Sequence, residues 1–155
     1  MNINIIVNGI SVLARDIGVG SSQLTHQIAR TFDVDEEEAE KIKIGVIPAG
    51  DRQAELQELV TQTCTNWVFE IQKAVDLYRS KNADKPLTRI VLSGGGSKVN
   101  GLAEFISKEV GIEVTPFNPF AGMKVNEKKI DRDYIDAIAP QMTIAAGLAI
   151  RPSEI

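Results

Sequence analysis

Two runs at the start of the chain alternate apolar and polar positions. Ile3, Ile5 and Val7 share one side of residues 2–8, and Val12 and Ala14 are expected to share the same side of residues 10–16. A period of two predicts strands, and Asn8-Gly9 between the runs is well suited to a type I′ turn, so the segment reads as a hairpin. Gly18 and Gly20 break it. The period then lengthens to three and four. Leu24, Ile28 and Phe32 mark a helix that Ser21 or Ser22 can cap, with His26 off the stripe and facing solvent. Asp35 opens a second helix, with Glu38 three positions on as a capping box requires and Val34 placed to staple onto Ala39. Glu36 to Glu38 complement the positive end of its dipole, and Gly45 and Pro48 stop it.

The longest periodic stretch covers residues 51–80. Leu56, Val60, Cys64, Trp67, Val68, Ile71, Val75 and Tyr78 form one stripe, which predicts a long helix or a pair broken near residues 61–66. Ile90, Val91 and Leu92 then read as a buried strand. Leu102, Phe105, Ile106 and Val110 read as one face of a helix closed by Gly111. Residues 112–115 are a short strand before Pro116 and Pro119, and residues 121–133 a polar surface excursion. Pro140 suits the first turn of a last helix running to about residue 150, whose small residues allow close approach to a neighbour. This order implies an α/β fold: a mixed sheet flanked by helices, with residues 1–20 and 86–155 as the sheet subdomain and 21–85 as a mainly helical insert.

Composition narrows the function classes. The 155 residues are 43% hydrophobic and 25% charged, enough for a core. The net charge of −4 comes with scattered lysines and arginines, which argues against a nucleic-acid surface. The apolar stretch at 138–150 is too short to span a bilayer. One cysteine and one histidine leave no zinc site of the usual kind, and Cys64 on an apolar stripe reads as a buried thiol. No secretory signal is visible at the start. Met1 leads straight into a strand pattern, so we expect the parent protein to extend upstream.

Three glycines, Gly94, Gly95 and Gly96, follow the strand at 90–92. Residues without Cβ atoms at a strand-to-helix turn let a flat or anionic ligand lie on the backbone; they equally serve a tight turn needing positive φ. Ser97-Lys98 lacks the Gly-Lys-Ser/Thr ending of a Walker loop, and glycines at 94, 96 and 101 miss the dinucleotide spacing.

Three stretches carry a resemblance. Ile90 to Leu92 with Ser93-Gly-Gly-Gly96 and Asn100-Gly-Leu102 resembles the adenosine motif of the actin-like ATPases. Ala39-Glu-Lys-Ile-Lys43 is similar to the nucleotide-contacting helix of bacterial actin homologues such as FtsA and MreB. Arg15-Asp-Ile-Gly-Val-Gly-Ser-Ser-Gln-Leu-Thr25 resembles the strand end that places a glycine near the nucleotide. With Asn8-Gly-Ile-Ser11 and Ala145-Ala-Gly-Leu-Ala-Ile-Arg151, the set is most similar to the PilM family of type IV pilus assembly proteins.

The resemblance implies the C-terminal half of an actin-like, ribonuclease H-like ATPase fold, and ATP as cofactor, with Mg2+ only in the complete protein. It assigns adenosine contact to Gly94, Gly95 and Gly96, ribose hydroxyls to Glu40, packing or donation near the base to Lys43, and close approach from the hairpin side to Gly20. Periodicity alone allows Glu40 and Lys43 to be no more than an i, i+3 surface pair. The family's Asp-x-Gly phosphate turn and its first phosphate loop do not occur in this stretch. No catalytic or metal residues are therefore assigned, and phosphoryl transfer by the fragment itself is not expected. The family likeness implies a cytoplasmic protein held at the inner membrane through a PilN-like cytoplasmic tail, without nucleic acid or membrane insertion of its own. Self-association through the edge of the first strand is a further expectation. The alternative is an FtsA-like cell-division adaptor. Such chains end in an amphipathic membrane-binding tail, whereas this one ends Ala149-Ile-Arg-Pro-Ser-Glu-Ile155.

Overall fold

The computed structural model describes residues 1–126 and 128–151. The ending compared above falls largely on residues 152–155, outside the described residues. Strands β1 (Asn2–Val7) and β2 (Ile10–Asp16) form the expected antiparallel hairpin. Asn8 and Gly9 both take positive φ, 52° and 78°, as a type I′ turn demands.

The hairpin departs from the expected alternation at one residue. Ile6 pairs with Ser11 but Ile5 pairs with Leu13, so Val12 is passed over as a bulge. An unbroken ladder would set Ile5 opposite Val12 and Ile3 opposite Ala14. The extra residue shifts the parity of β2, so Leu13 and Arg15 share the face of Ile5 and Ile3. Val12 is left 51% exposed, contrary to the reading from alternation.

Helix α1 (Ser21–Phe32) follows, then α2 (Glu36–Lys43). The cap of α1 is Gly20, not a serine, and no side chain caps it. Asp35 caps α2 as expected, its carboxylate accepting from the Glu38 amide at 2.8 Å. Helix α3 (Gln53–Arg79) runs 27 residues without a break, about 40 Å at 1.5 Å per residue. Its expected stripe is buried except at Val60, and Thr63 and Ala74 join it. Arg52, at the start of α3, donates to the Thr31 carbonyl at 2.6 Å and lies 4.1 Å over the Phe32 ring, fastening α3 to the end of α1.

Strand β3 (Arg89–Leu92) and strand β4 (Glu113–Pro116) pair in parallel, joined by α4 (Leu102–Val110). Among the described residues, antiparallel and parallel pairing are thus both present, in two two-stranded sheets rather than one continuous mixed sheet. Only one face of β3 is covered, which leaves Val91 45% exposed where a fully buried strand was expected. Helix α5 (Arg132–Ile138), capped by Asp131, whose carboxylate accepts from the Asp133 amide, begins at the last two residues of the segment read as an excursion and continues beyond it. The single last helix is divided. A 3-10 turn, Ala139–Met142, carries Pro140, and α6 (Thr143–Ala149) follows.

One hydrophobic core gathers α1 to α4: Leu24 and Ile28, Ala39 and Ile42, Leu56 to Val75 on α3, and Val99, Leu102 and Ile106. Cys64 belongs to it, and burial pushes its thiol up to about 11, the protonated and inert state. No described helix is long and apolar enough to cross a membrane.

Candidate functional site

The N-terminus of α1 lies between the glycine turn and α2. A Cβ added at Gly96 would stand 3.2 Å from both Cβ and Oγ of Ser21, a tight approach that favours glycine there. Ser21 in turn offers its carbonyl to Lys43 Nζ at 3.5 Å. Gly96, Ser21 and Lys43 are therefore contiguous, and the turn at 94–96 and the helix carrying Glu40 meet across α1.

Lys43 is buried, its side chain 2% exposed, which corrects the surface-pair alternative. Two strong partners satisfy the ammonium: Glu40 Oε2 at 2.6 Å and Thr25 Oγ1 at 2.9 Å. Thr25 Oγ1 lies 2.7 Å from the same Glu40 oxygen. An ammonium can only donate and a carboxylate only accept. The hydroxyl therefore accepts from Lys43 and donates to Glu40, closing a three-membered ring of hydrogen bonds. All of these bonds to Glu40 fall on Oε2, and its side chain stays 44% exposed. Burial acts to raise the Glu40 pKa. The bonds from Lys43 and Thr25, with the charges of Lys43 and Lys98, outweigh it and hold the carboxyl below its ordinary value. Lys98 belongs to the 3-10 turn Gly95–Lys98, so the glycine segment also bears electrostatically on Glu40.

An open groove of about 400 Å³ is lined by Ser21, Ser22, Thr25, His26, Glu40 and Lys43, together with Glu36 and Glu37. His26 Nε2 lies 3.1 Å from Glu36 Oε1. The glycines do not line this groove. Gly94 takes φ 85° and donates its amide to the Pro140 carbonyl at 2.7 Å, and a Cβ at Gly95 would meet Gln141 Nε2 at 3.4 Å. Gly20 is extended, a conformation open to any residue, and a Cβ there would make only ordinary contact.

Of the six residues expected at a ligand site, Glu40, Lys43, Gly96 and Gly20 thus converge on the first turn of α1, and Gly94 and Gly95 turn toward residues 140–141. Thr25, Ser21 and Lys98 adjoin Glu40 and Lys43 without having been expected there. Thr25 neighbours Leu24 on the core stripe and follows Ser21 by one helical turn, the one local hint of a hydroxyl facing inward.

Comparison with known proteins gives the same fold. A chain of a PilM-PilN type IV pilus biogenesis complex superposes with a TM-score of 0.78 at 21% identity, over 97% of this chain and 43% of that one. The ethanolamine utilization protein EutJ from Carboxydothermus hydrogenoformans gives 0.63 at 21% identity, over 96% of this chain and 44% of that one. Both have the actin-like fold, and this chain spans less than half the length of either. The family model of the type IV pilus assembly protein PilM matches residues 1–153, so the chain belongs to the PilM family.

Proposed function

We propose that this chain is the ATP-binding lobe of a type IV pilus assembly protein and is not itself catalytic. The observation that carries the reading is the convergence of Gly96, Ser21, Thr25, Lys43 and Glu40 on one end of α1, beside an open groove. The donor set suits a nucleoside. The Glu40 oxygen outside the ring, Oε1, accepts from a ribose hydroxyl, and the glycine turn borders the ligand through Gly96, which abuts Ser21. Gly20 admits the ligand from the hairpin side, and Lys43 packs beneath and acts through Glu40. For Mg2+ the fit fails within this stretch: among the described residues no group of three metal-ligating side chains gathers.

Membership of the pilus family favours this reading over an FtsA-like adaptor. The solved relative is paired with PilN, and we extend that partner to this protein. It would act on the cytoplasmic side, held at the inner membrane by the tail of a PilN-like protein. The test is ATP affinity of the full-length protein against Gly95→Trp and Glu40→Gln. Both variants should bind more weakly; unchanged affinity in both, with intact folds, removes the turn and the carboxylate from the site.

A further inference from the structure

We propose that Thr25 is a positioning residue that fixes which Glu40 oxygen is left for a ligand, and that it thereby sets selectivity for a ribonucleotide over a deoxyribonucleotide. This deepens the nucleotide reading and rests on it. Glu40 Oε2 takes two charge-reinforced bonds, from Lys43 Nζ at 2.6 Å and Thr25 Oγ1 at 2.7 Å. Among the described residues Oε1 takes none from a side chain, and the side chain remains 44% exposed. The carboxylate is thus held by one oxygen and presents the other.

Lys43 alone would not enforce this. A single ammonium on one end of a carboxylate leaves rotation about the terminal torsion, which is broad and nearly two-fold. The second donor removes that freedom. Thr25 comes from α1 and Lys43 from α2 itself, so Oε2 is gripped from two elements. Thr25 is buried, and the Ser21 carbonyl lies 3.2 Å from its hydroxyl. That is a longer and weaker acceptor than the Glu40 carboxylate, so the proton is committed to Glu40.

An acceptor-only oxygen presented in this way recognises a hydroxyl, and the hydroxyl separating the two nucleotide classes is the ribose 2′-OH. Replacing Thr25 by valine exchanges the hydroxyl for a methyl of similar size and deletes the bonds to both Glu40 and Lys43. Glu40 is then free to turn and share both oxygens with Lys43. Loss of a hydrogen bond to a charged group weakens binding roughly tenfold.

The experiment measures ATP and 2′-deoxy-ATP affinity by calorimetry on the full-length protein, as wild type, Thr25→Val, Thr25→Ser and Thr63→Val. Thr63 is a control: equally buried, it donates to Gln27 on the far side of α1. The wild type should prefer ATP by about tenfold. Thr25→Val should lose that preference by weakening ATP alone, Thr25→Ser should keep it, and Thr63→Val should leave the ratio untouched. A merely structural role for Thr25 would weaken both nucleotides alike and overturn the proposal. Equal affinities in the wild type overturn it too, without needing any variant to fold. Wild type that binds neither nucleotide overturns the ATP reading itself, a distinguishable result.

Discussion

The glycine turn has two flanks, and they are held by different physics. On the α1 side, Gly96 presses on Ser21, behind which stand the Lys43 ring and a core whose Leu24 and Ile28 are wholly buried. On the other side, Gly94 and Gly95 rest on the turn at Ala139–Met142, followed by α6, which has no buried residue. There Ile144, Leu148 and Ile150 are 78%, 62% and 72% exposed. The first flank takes its shape from apolar burial and saturated hydrogen bonding. The second rests on one short backbone bond and on a turn in which Ala139 alone is buried. The difference separates a site whose geometry these residues determine from a surface they merely carry.

The comparison predicts a gradient of effects in denaturant unfolding. Leu24→Ala should cost the most, about 3 kcal/mol, since a fully buried leucine in a shared core leaves a cavity. A loss below about 1 kcal/mol would mean the α1 flank is not the rigid one. Lys43→Ala should cost about 2 kcal/mol, less than a wholly buried pair because Glu40 is partly exposed. The same variant should raise the Glu40 pKa, a shift readable by carbon-detected carboxyl titration. Gly94→Ala should cost about 1 kcal/mol because φ 85° strains any Cβ; a neutral result would show the second flank relaxing freely.

Acid should weaken the first flank selectively. The Glu40 pKa is lower in the folded state than the ordinary 4.5. Its contribution is therefore complete above about pH 4.5 and lost as pH falls through the depressed value. Glu40→Gln should flatten this part of the pH–stability curve; an identical curve would place the acid sensitivity elsewhere. Ile144→Ser should be the smallest effect, within about 0.5 kcal/mol. A larger loss would show α6 packed against something in solution.

Much of this contrast was legible beforehand because periodicity is a local property. The stripes at Leu24 and Ile28, along α3, and at Leu102 and Ile106 mark core faces directly, and Asn8-Gly9 and Asp35 mark a turn and a cap. What escaped was set by tertiary placement. Lys43 looks like any lysine on a charged helix until α1 covers it. Thr25 acquires its role only when α2 brings Glu40 within 2.7 Å. The helix at Arg132–Ile138 was hidden because its Tyr134 stays 60% exposed and no residue of it is buried, so no amphipathic stripe announces it. Within the turn at 94–96 the need for glycine differs by position: dihedral at Gly94, proximity at Gly96, and neither at Gly95.

The bulge in the hairpin has a consequence of its own. Because the ladder skips Val12, shortening the chain by that one residue would preserve each cross-strand partnership from Asn2–Asp16 to Val7–Ile10. What would vanish is the local bend and added coiling that a bulge imparts. Val12 thus contributes nothing to who pairs with whom, and governs instead the angle at which the hairpin leaves the body of the protein.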